Sequence, residues 1–537
     1  MATSYQTPGV YVEEVARGNK PIEGVGTSVA AFVGFTECAV EPARNGTPAT
    51  SLLNKATLVT NWSQYMLKFG GFAKGAYLPH AVYGYFANGG GRCYVVSIAT
   101  LSATDEDGKA SSTYALLPSM GDSKNESLKI TGKQAAKDGK TVSVVIKHQN
   151  QPPGSDGKTE NDAFDLVVML GKNEAERFEG VSLGAGERNV EIAVNTVSKL
   201  IQVEMVGRKT GKLAERRPAE GAYALQSREV KTITVSAPEF QGDAARREGI
   251  QGLEALDDVT MVCVPDMMSV YQSGALALDG VKAIQTAVLN HCENMKYRFA
   301  ILDAPPGMSP KEIQDWKTNR AMFDSKYGAL YYPWISVPDP FSPSGASMLV
   351  PPCGHIAGLY ARTDGERGVH KAPANDVLRG VTGLELNVTQ GEQAGLNPNG
   401  VNCIREFPGR GIRVWGARTL SDDAAWRYIN VRRLFNFVEA SLERGTQWVV
   451  FEPNDQDLWA RVRRDVSAFL RQVWRSGALF GSTPEQAFYV KCDEELNPLE
   501  VRDSGQLVIE VGLAPVKPAE FVIFRISQWA GPNAEAA

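Results

Sequence analysis

Between residues 245 and 370, apolar runs of strand length alternate with segments whose apolar residues recur at helix spacing. Residues 259–264 (VTMVCV) form a strand run, and 276–292 a helix with Val281, Ile284, Val288 and Leu289 on one face. A strand at 299–302, a helix at 310–323 opened by Ser309 and Pro310, and a strand at 330–337 complete the series. Such alternation predicts a mostly parallel sheet with crossover helices. Residues 25–100 share this character, with strands at 27–35 and 93–98, a short helix over 63–69 and an apolar segment at 78–86. Between the two blocks, residues 101–240 carry short alternating strands at 142–147, 164–170 and 230–235, separated by polar turn clusters such as 151–158. The expected fold class is α/β (α+β overall), with one α/β core built from 25–100 plus 241–370 and a β-rich exposed insertion at 101–240.

Length and charge narrow the function classes. At about 150 residues per domain, 537 residues make several domains. The formal charge of −5, from 56 basic and 61 acidic residues, argues against nucleic acid, which wants a basic face. The seven cysteines are scattered, the closest pair being Cys263 and Cys292, 29 positions apart, and no C-x-x-C occurs. This suits reduced, buried thiols in a cytosolic compartment. Residues 1–15 have no leader-like pattern, and apolar runs such as 29–35 fall far short of the roughly 18 residues that span a bilayer. Synthesis in the cytoplasm without direct membrane insertion is expected.

Both ends hold strands without a local partner. Residues 1–24 read as an arm, in which Val10, Tyr11 and Val12 follow the turn pair Pro8-Gly9. Such a short strand must pair with something distant or with another chain. The runs 506–513 and 520–526 close the chain and suggest a terminal segment 506–537 able to pair outside its own domain. In between, a C-terminal domain is expected over 371–505. It has no lysine between Lys371 and Lys491, while 405–475 carries thirteen arginines against nine acids, a balance of +4. Residues 491–537 hold four basic and eight acidic residues, a balance of −4. One helix is expected from Ser421 to Arg444. A second, over 455–476, places Trp459, Val462, Val466, Phe469, Leu470 and Val473 on one side and Arg461, Arg464, Arg471 and Arg475 on the other.

Catalytic and ligand motifs are weak. The 88–92 loop (NGGGR) lacks P-loop spacing and precedes a strand. The acidic turn at 105–108 lacks the remaining ligands of a calcium loop. His80, His148, His291, His355 and His370 sit in no triad context, Cys353-Gly354-His355 has no oriented third group, and no metal-ligand spacing occurs. No cofactor, metal or catalytic residue is expected.

Several stretches do match a family. Residues 5–15 (YQTPGVYVEEV), 22–34 (IEGVGTSVAAFVG), 69–71 (FGG) and 86–90 (FANGG) resemble the first part of contractile tail sheath proteins. Residues 371–375 (KAPAN), 396–402 (LNPNGVN), 408–419 (PGRGIRVWGART), 431–434 (VRRL), 451–454 (FEPN) and 518–521 (PAEF) follow the pattern in order, and only 101–240 escapes it. The chain looks most like sheaths of phage-tail-like contractile injection systems. The resemblance implies a structural protein with a subtilisin-like core, stacked as hexameric rings around an inner tube and contracting to drive that tube through a target envelope. It implies baseplate and terminal cap proteins as further partners, and a particle that stays in the cytoplasm or is released. It also implies strand exchange between subunits, which falls here on Val10, Tyr11, Val12, Val508, Ile509, Val511, Phe521, Ile523 and Phe524. Docking on an acidic inner tube is expected of Arg461, Arg464, Arg471 and Arg475. Competing readings are a subtilisin-like hydrolase, which needs a placed Ser/His/Asp set, and a non-contractile tube or adhesin, which lacks paired terminal arms.

Overall fold

A computed structural model describes residues 21–41, 50–101, 114–121, 126–132, 142–148, 162–171, 173–184, 186, 188–206, 213–225, 235–342 and 345–525. Val10, Tyr11 and Val12, the 105–108 turn, most of the 230–235 run and Ile526 lie outside the described residues. The chain divides into two compact units. One comprises Ser28–Arg362 and Pro373–Ile429; the other, among the described residues, comprises 21–27, Thr363–Ala372 and 430–525.

The first unit is organised by an eight-stranded sheet. Its strands are β1 (Ala30–Thr36), β2 (Thr57–Val59), β3 (Cys93–Thr100), β4 (Met261–Cys263), β5 (Phe299–Asp303), β6 (Gly328–Tyr332), β7 (Val401–Phe407) and β8 (Gly411–Val414). The spatial order is β8-β7-β6-β5-β4-β1-β3-β2. The six inner strands run parallel, while β2 and β8 cap the edges antiparallel. β1 is buried along its whole length, which explains its near-continuous apolar sequence. Ala31, Val33 and Phe35 enter one core with Val262, Ile284, Val288 and Trp316, and Ala30 and Phe32 enter the other with Tyr85, Ile356 and Tyr360. The period-two alternation of the strand feeds both faces.

Helices α1 (Leu78–Ala87), α2 (Leu278–Met295) and α3 (Cys353–Arg367) flank these cores. α1 and α3 approach at backbone distance: a Cβ added to Gly354 would lie 2.2 Å from the Ala81 carbonyl oxygen, and one on Gly358 2.5 Å from that of Tyr85. The expected helix after Ser309 forms over Pro310–Asp315, with Ser309 and Glu312 capping one another, and continues as a π-helical segment to Ala321.

β1 pairs with β3 on one side and β4 on the other, although about 160 residues of sequence separate β3 from β4. The described residues between them form a four-stranded antiparallel sheet in the order Asn173–Val181, Phe164–Leu170, Val142–His148, Gly221–Ala224. A three-stranded sheet of Ile201–Met205, Glu126–Gly132 and Tyr114–Pro118 accompanies it. Leu128, Ile130, Val144, Leu166, Val168 and Val203 close a separate core.

Three sequence expectations need correction. Residues 373–429, assigned to the C-terminal domain, belong to the α/β unit, because β7 registers parallel to β6 through Leu330↔Val401. The 330–337 run is two strands: β6 stops at Tyr332, Pro333 has no N–H to continue the ladder, and Ile335–Pro338 joins Ser347–Val350 and Gly383–Leu384 instead. The helix expected from Ser421 starts at Ile429, as α4 (Ile429–Gly445). Ser421 Oγ accepts from Asp423 N (3.2 Å) and Asp423 Oδ1 from Ala425 N (2.8 Å), so these side chains cap local turns rather than a helix.

Asp266 joins β1 to the start of α1. Its carboxylate accepts from Phe35 N at 2.5 Å, from Leu78 N at 3.3 Å and from Tyr77 N. Complete burial pushes its pKa up to about 7 against the pull of these donors. The folded value lies above the unfolded one of about 3.9, so this group's contribution is fully present below that value and fades as pH rises through 7. The expected result is that wild-type unfolding free energy falls relative to that of Asp266→Asn between pH 4 and 7.5. Urea unfolding of both proteins across that range checks it.

Candidate assembly surfaces in the C-terminal unit

The second unit is built on α4 and α5 (Gln456–Arg475). Asp455 caps α5 by accepting from Leu458 N at 2.8 Å. Leu458, Trp459, Val462, Val466, Phe469, Leu470 and Val473 are buried and pack with Leu434, Val438, Ile22 and Val369. The arginine stripe lies on the other side, as its spacing predicts. Arg461 pairs with Glu452 at 3.3 Å and stands over the Trp448 ring at 5.4 Å, and Arg464 meets Asp465 at 3.2 Å. Arg471 and Arg475 are exposed and form no ion pair among the described residues.

A buried charge network, which sequence reasoning missed, ties this unit together. Arg433 Nη1 and Nη2 donate to Asp364 Oδ1 and Oδ2 at 2.9 and 2.6 Å, with the side chains only 4% and 5% exposed. Thr27 Oγ1 donates to the same carboxylate at 2.6 Å, and Arg433 Nη2 donates to the Thr27 carbonyl at 3.0 Å. The network fastens residue 27 to helices more than 300 positions away in sequence. The Arg432-Arg433 pair carried the only sequence signal.

The C-terminal strand runs take a different form from the one expected. β9 (Phe488–Lys491) and β10 (Glu510–Leu513) make a two-stranded antiparallel ribbon with Val490 opposite Val511. The strand is therefore 510–513 rather than 506–513, and its described partner belongs to the same chain. Val508 is held outside the ladder, where its N–H and carbonyl both bond to the Asn497 amide (2.7 and 3.0 Å). Ile509 and Val511 pack half-buried against the α5 core. Residues 521–525 form no helix and no ladder with other described residues, and Phe521, Val522, Ile523 and Phe524 are 72%, 70%, 78% and 83% exposed. Four consecutive large apolar side chains form an exposed apolar run of the kind that marks interaction sites.

Among the described residues, no serine or cysteine is hydrogen-bonded to a histidine. His291 Nε2 faces Arg298 Nη1 at 2.6 Å, and His148 Nε2 lies 2.8 Å from the Pro218 carbonyl oxygen. Burial holds His80 and His355 down to about 4 and pushes the Cys353 thiol up. No group of three or more metal-ligating side chains converges among the described residues, nor is any helix there long and apolar enough to cross a membrane. The 88–92 loop is a turn in which Asn88 bonds Gly84 and Arg379, and Gly90 N bonds the Tyr85 carbonyl.

Two adjacent family models match the chain, the phage tail sheath protein central domain over 254–420 and the phage tail sheath C-terminal domain over 421–528. Together they cover just over half of it. The chain belongs to the tail sheath protein family. That family is structural, not enzymatic. The change of family model at 420 falls near the end of the first unit at Ile429, far from the boundary at 371 expected from sequence. The chain is 29% identical over 258 residues to the putative prophage major tail sheath protein of Pseudomonas aeruginosa (strain UCBPP-PA14), covering 46% of this chain and 63% of that one. It is 32% identical over 204 residues to the tail sheath protein of Burkholderia phage BcepMu, covering 36% and 40%. In both cases the matched region spans less than two thirds of the curated relative. Among solved structures, the sheath complex of an extracellular contractile injection system in its contracted state is similar with 25% identity and a TM-score of 0.56, over 98% of this chain and 99% of that one. The helical sheath of the anti-feeding prophage in its contracted state gives the same identity and TM-score over 98% and 100%.

Proposed function

We propose that this tail sheath chain is the sheath subunit of a contractile injection system. Copies polymerise as stacked hexameric rings around an inner tube and contract to drive that tube through a target envelope. The parallel sheet serves as the subtilisin-like core, and baseplate and terminal cap proteins close the ends of a particle made in the cytoplasm and kept there or released. The observation that carries this reading is the exposed run Phe521–Phe524 in a unit whose ribbon has two strands among the described residues. Two strands are marginal alone, and a strand donated by a neighbour, from 521–525 or from Val10–Val12, completes a stable sheet with about 0.5–1.5 kcal/mol per ladder bond. Arg461, Arg464, Arg471 and Arg475 then face an acidic tube, Arg471 and Arg475 with their guanidinium groups available.

Negative-stain microscopy of the purified full chain tests the reading, with hollow striated cylinders as the expected result. Phe521→Asp/Ile523→Asp/Phe524→Asp, or removal of residues 1–15, should leave a folded subunit that makes none, and normal cylinders from either variant would sink strand exchange. Arg471→Glu/Arg475→Glu should polymerise yet fail to assemble around tubes; normal extended particles from it refute tube docking.

A further inference from the structure

The β7–β8 hairpin ends in an aromatic and arginine cluster that neither the fold nor the proposed strand exchange uses. Phe407 and Trp415 stack with ring centroids 4.5 Å apart, and the Arg405 and Arg410 guanidinium groups stand 5.3 and 5.9 Å from the Phe407 ring. Arg413 fixes the tip by donating to the carbonyls of Arg410 (2.9 Å) and Asn375 (2.7 Å). Arg405 donates through Nη1 to Gln393 Oε1 at 2.9 Å, while its Nε is buried without an acceptor. Among the described residues, none of these three arginines has a carboxylate within ion-pair distance. Three guanidinium groups on one hairpin, whose own exposed carboxylate Glu406 pairs with none of them among the described residues, leave a preference for carboxylates unspent.

The same chain carries the complementary surface. The turn and short helix at 493–503 expose Glu494, Glu500 and Asp503, none in an ion pair among the described residues, around a Leu499 that is 62% exposed. Glu495 is already engaged by Lys491 at 2.6 Å. The turn is held in place by the fully buried Asn497, whose amide clamps Val508 from both sides. An aromatic centre rimmed by guanidinium groups therefore has a counterpart in an apolar centre rimmed by carboxylates.

We infer that the 405–413 hairpin tip docks onto the 493–503 turn of a second copy of this chain. Because the two patches differ, the contact is heterologous, and repeating it builds rings or helical arrays rather than closed two-fold dimers. This inference rests on the proposal that the chain polymerises with itself, and adds the charged contact that sets the register between copies.

A charge swap tests it on the full chain. Arg405→Glu/Arg410→Glu and, separately, Glu494→Arg/Glu500→Arg should each lower sedimentable polymer about tenfold or more, as the loss of about 1.4 kcal/mol per contact requires. Circular dichroism melting should show both variants folded. The four substitutions combined should restore polymer by reversing the pair. Normal polymer from either two-site variant, or folded four-site protein that fails to recover, overturns the contact. Absence of polymer from the wild-type chain overturns self-assembly itself, a result readily told apart from the other two.

Discussion

Asp364→Ala is expected to cost the C-terminal unit about 3–5 kcal/mol, the usual consequence of stripping one partner from a buried ion pair. The arginine left behind is 4% exposed, and both oxygens that receive its two terminal nitrogens vanish together. Thr27 Oγ1 loses its acceptor in the same step. The test is guanidinium unfolding followed by near-ultraviolet signal from Trp448, Trp459 and Trp474, which all lie in this unit. A chain of two compact units is not expected to unfold in one step, so the transition to follow is the one these tryptophans report. Asp364→Leu/Arg433→Met offers the contrast: with both charges gone, much of the loss should return, since well-packed apolar pairs often match buried ion pairs in stability. Equal loss in the single and double variants would show that shape, not charge, governs the site.

The second large effect is expected at the α1–α3 crossing. Gly354→Ala should destabilise the α/β unit by about 3 kcal/mol, the upper range for overpacking. The added Cβ would meet the Ala81 carbonyl oxygen at 2.2 Å and its Cα at 2.3 Å. Both are backbone atoms, so no side-chain rotation relieves the contact and the helices must move apart. Gly365→Ala, on the same helix, meets nothing within 4 Å and should instead stabilise by about 0.5–1 kcal/mol through helix propensity. Thermal melts of the two variants with opposite shifts are the expected outcome, and parallel shifts would place the cause in propensity rather than in the crossing.

Much of this fold was legible in the sequence, and the misses have physical causes. The parallel sheet announced itself because its inner strands are buried on both faces, as in the apolar run of β1, and because helices at regular spacing separate them. β7 and β8 escaped because their place beside β6 depends on register with a strand some 70 residues earlier, which no local pattern encodes. The Ser421-Asp422-Asp423 cluster carries a helix-cap signature, yet the same side chains can close turns on their own, and here they do. At the candidate interfaces, the arginine stripe on α5 was visible because helical periodicity sorts charge from apolar residues. The Arg433–Asp364 network was not, because burial of a charge cannot be inferred from composition. The 520–526 run was recognisable as a strand former, whereas the exposure of Phe521, Val522, Ile523 and Phe524 is a property of the folded chain alone.

The stretch 114–225, which carries the two small sheets between β3 and β4, has an evolutionary consequence. Its core shares no residue with the two cores of the eight-stranded sheet, and β1 already binds β3 and β4 on either side of it. Substitutions in the interior of that segment are thus insulated from the sheet's register. Selection can rewrite this module, lengthen it or exchange it, while the rest of the subunit remains under the constraints of its own packing. Drift in one part and conservation in the other are what such a partition of hydrophobic cores permits.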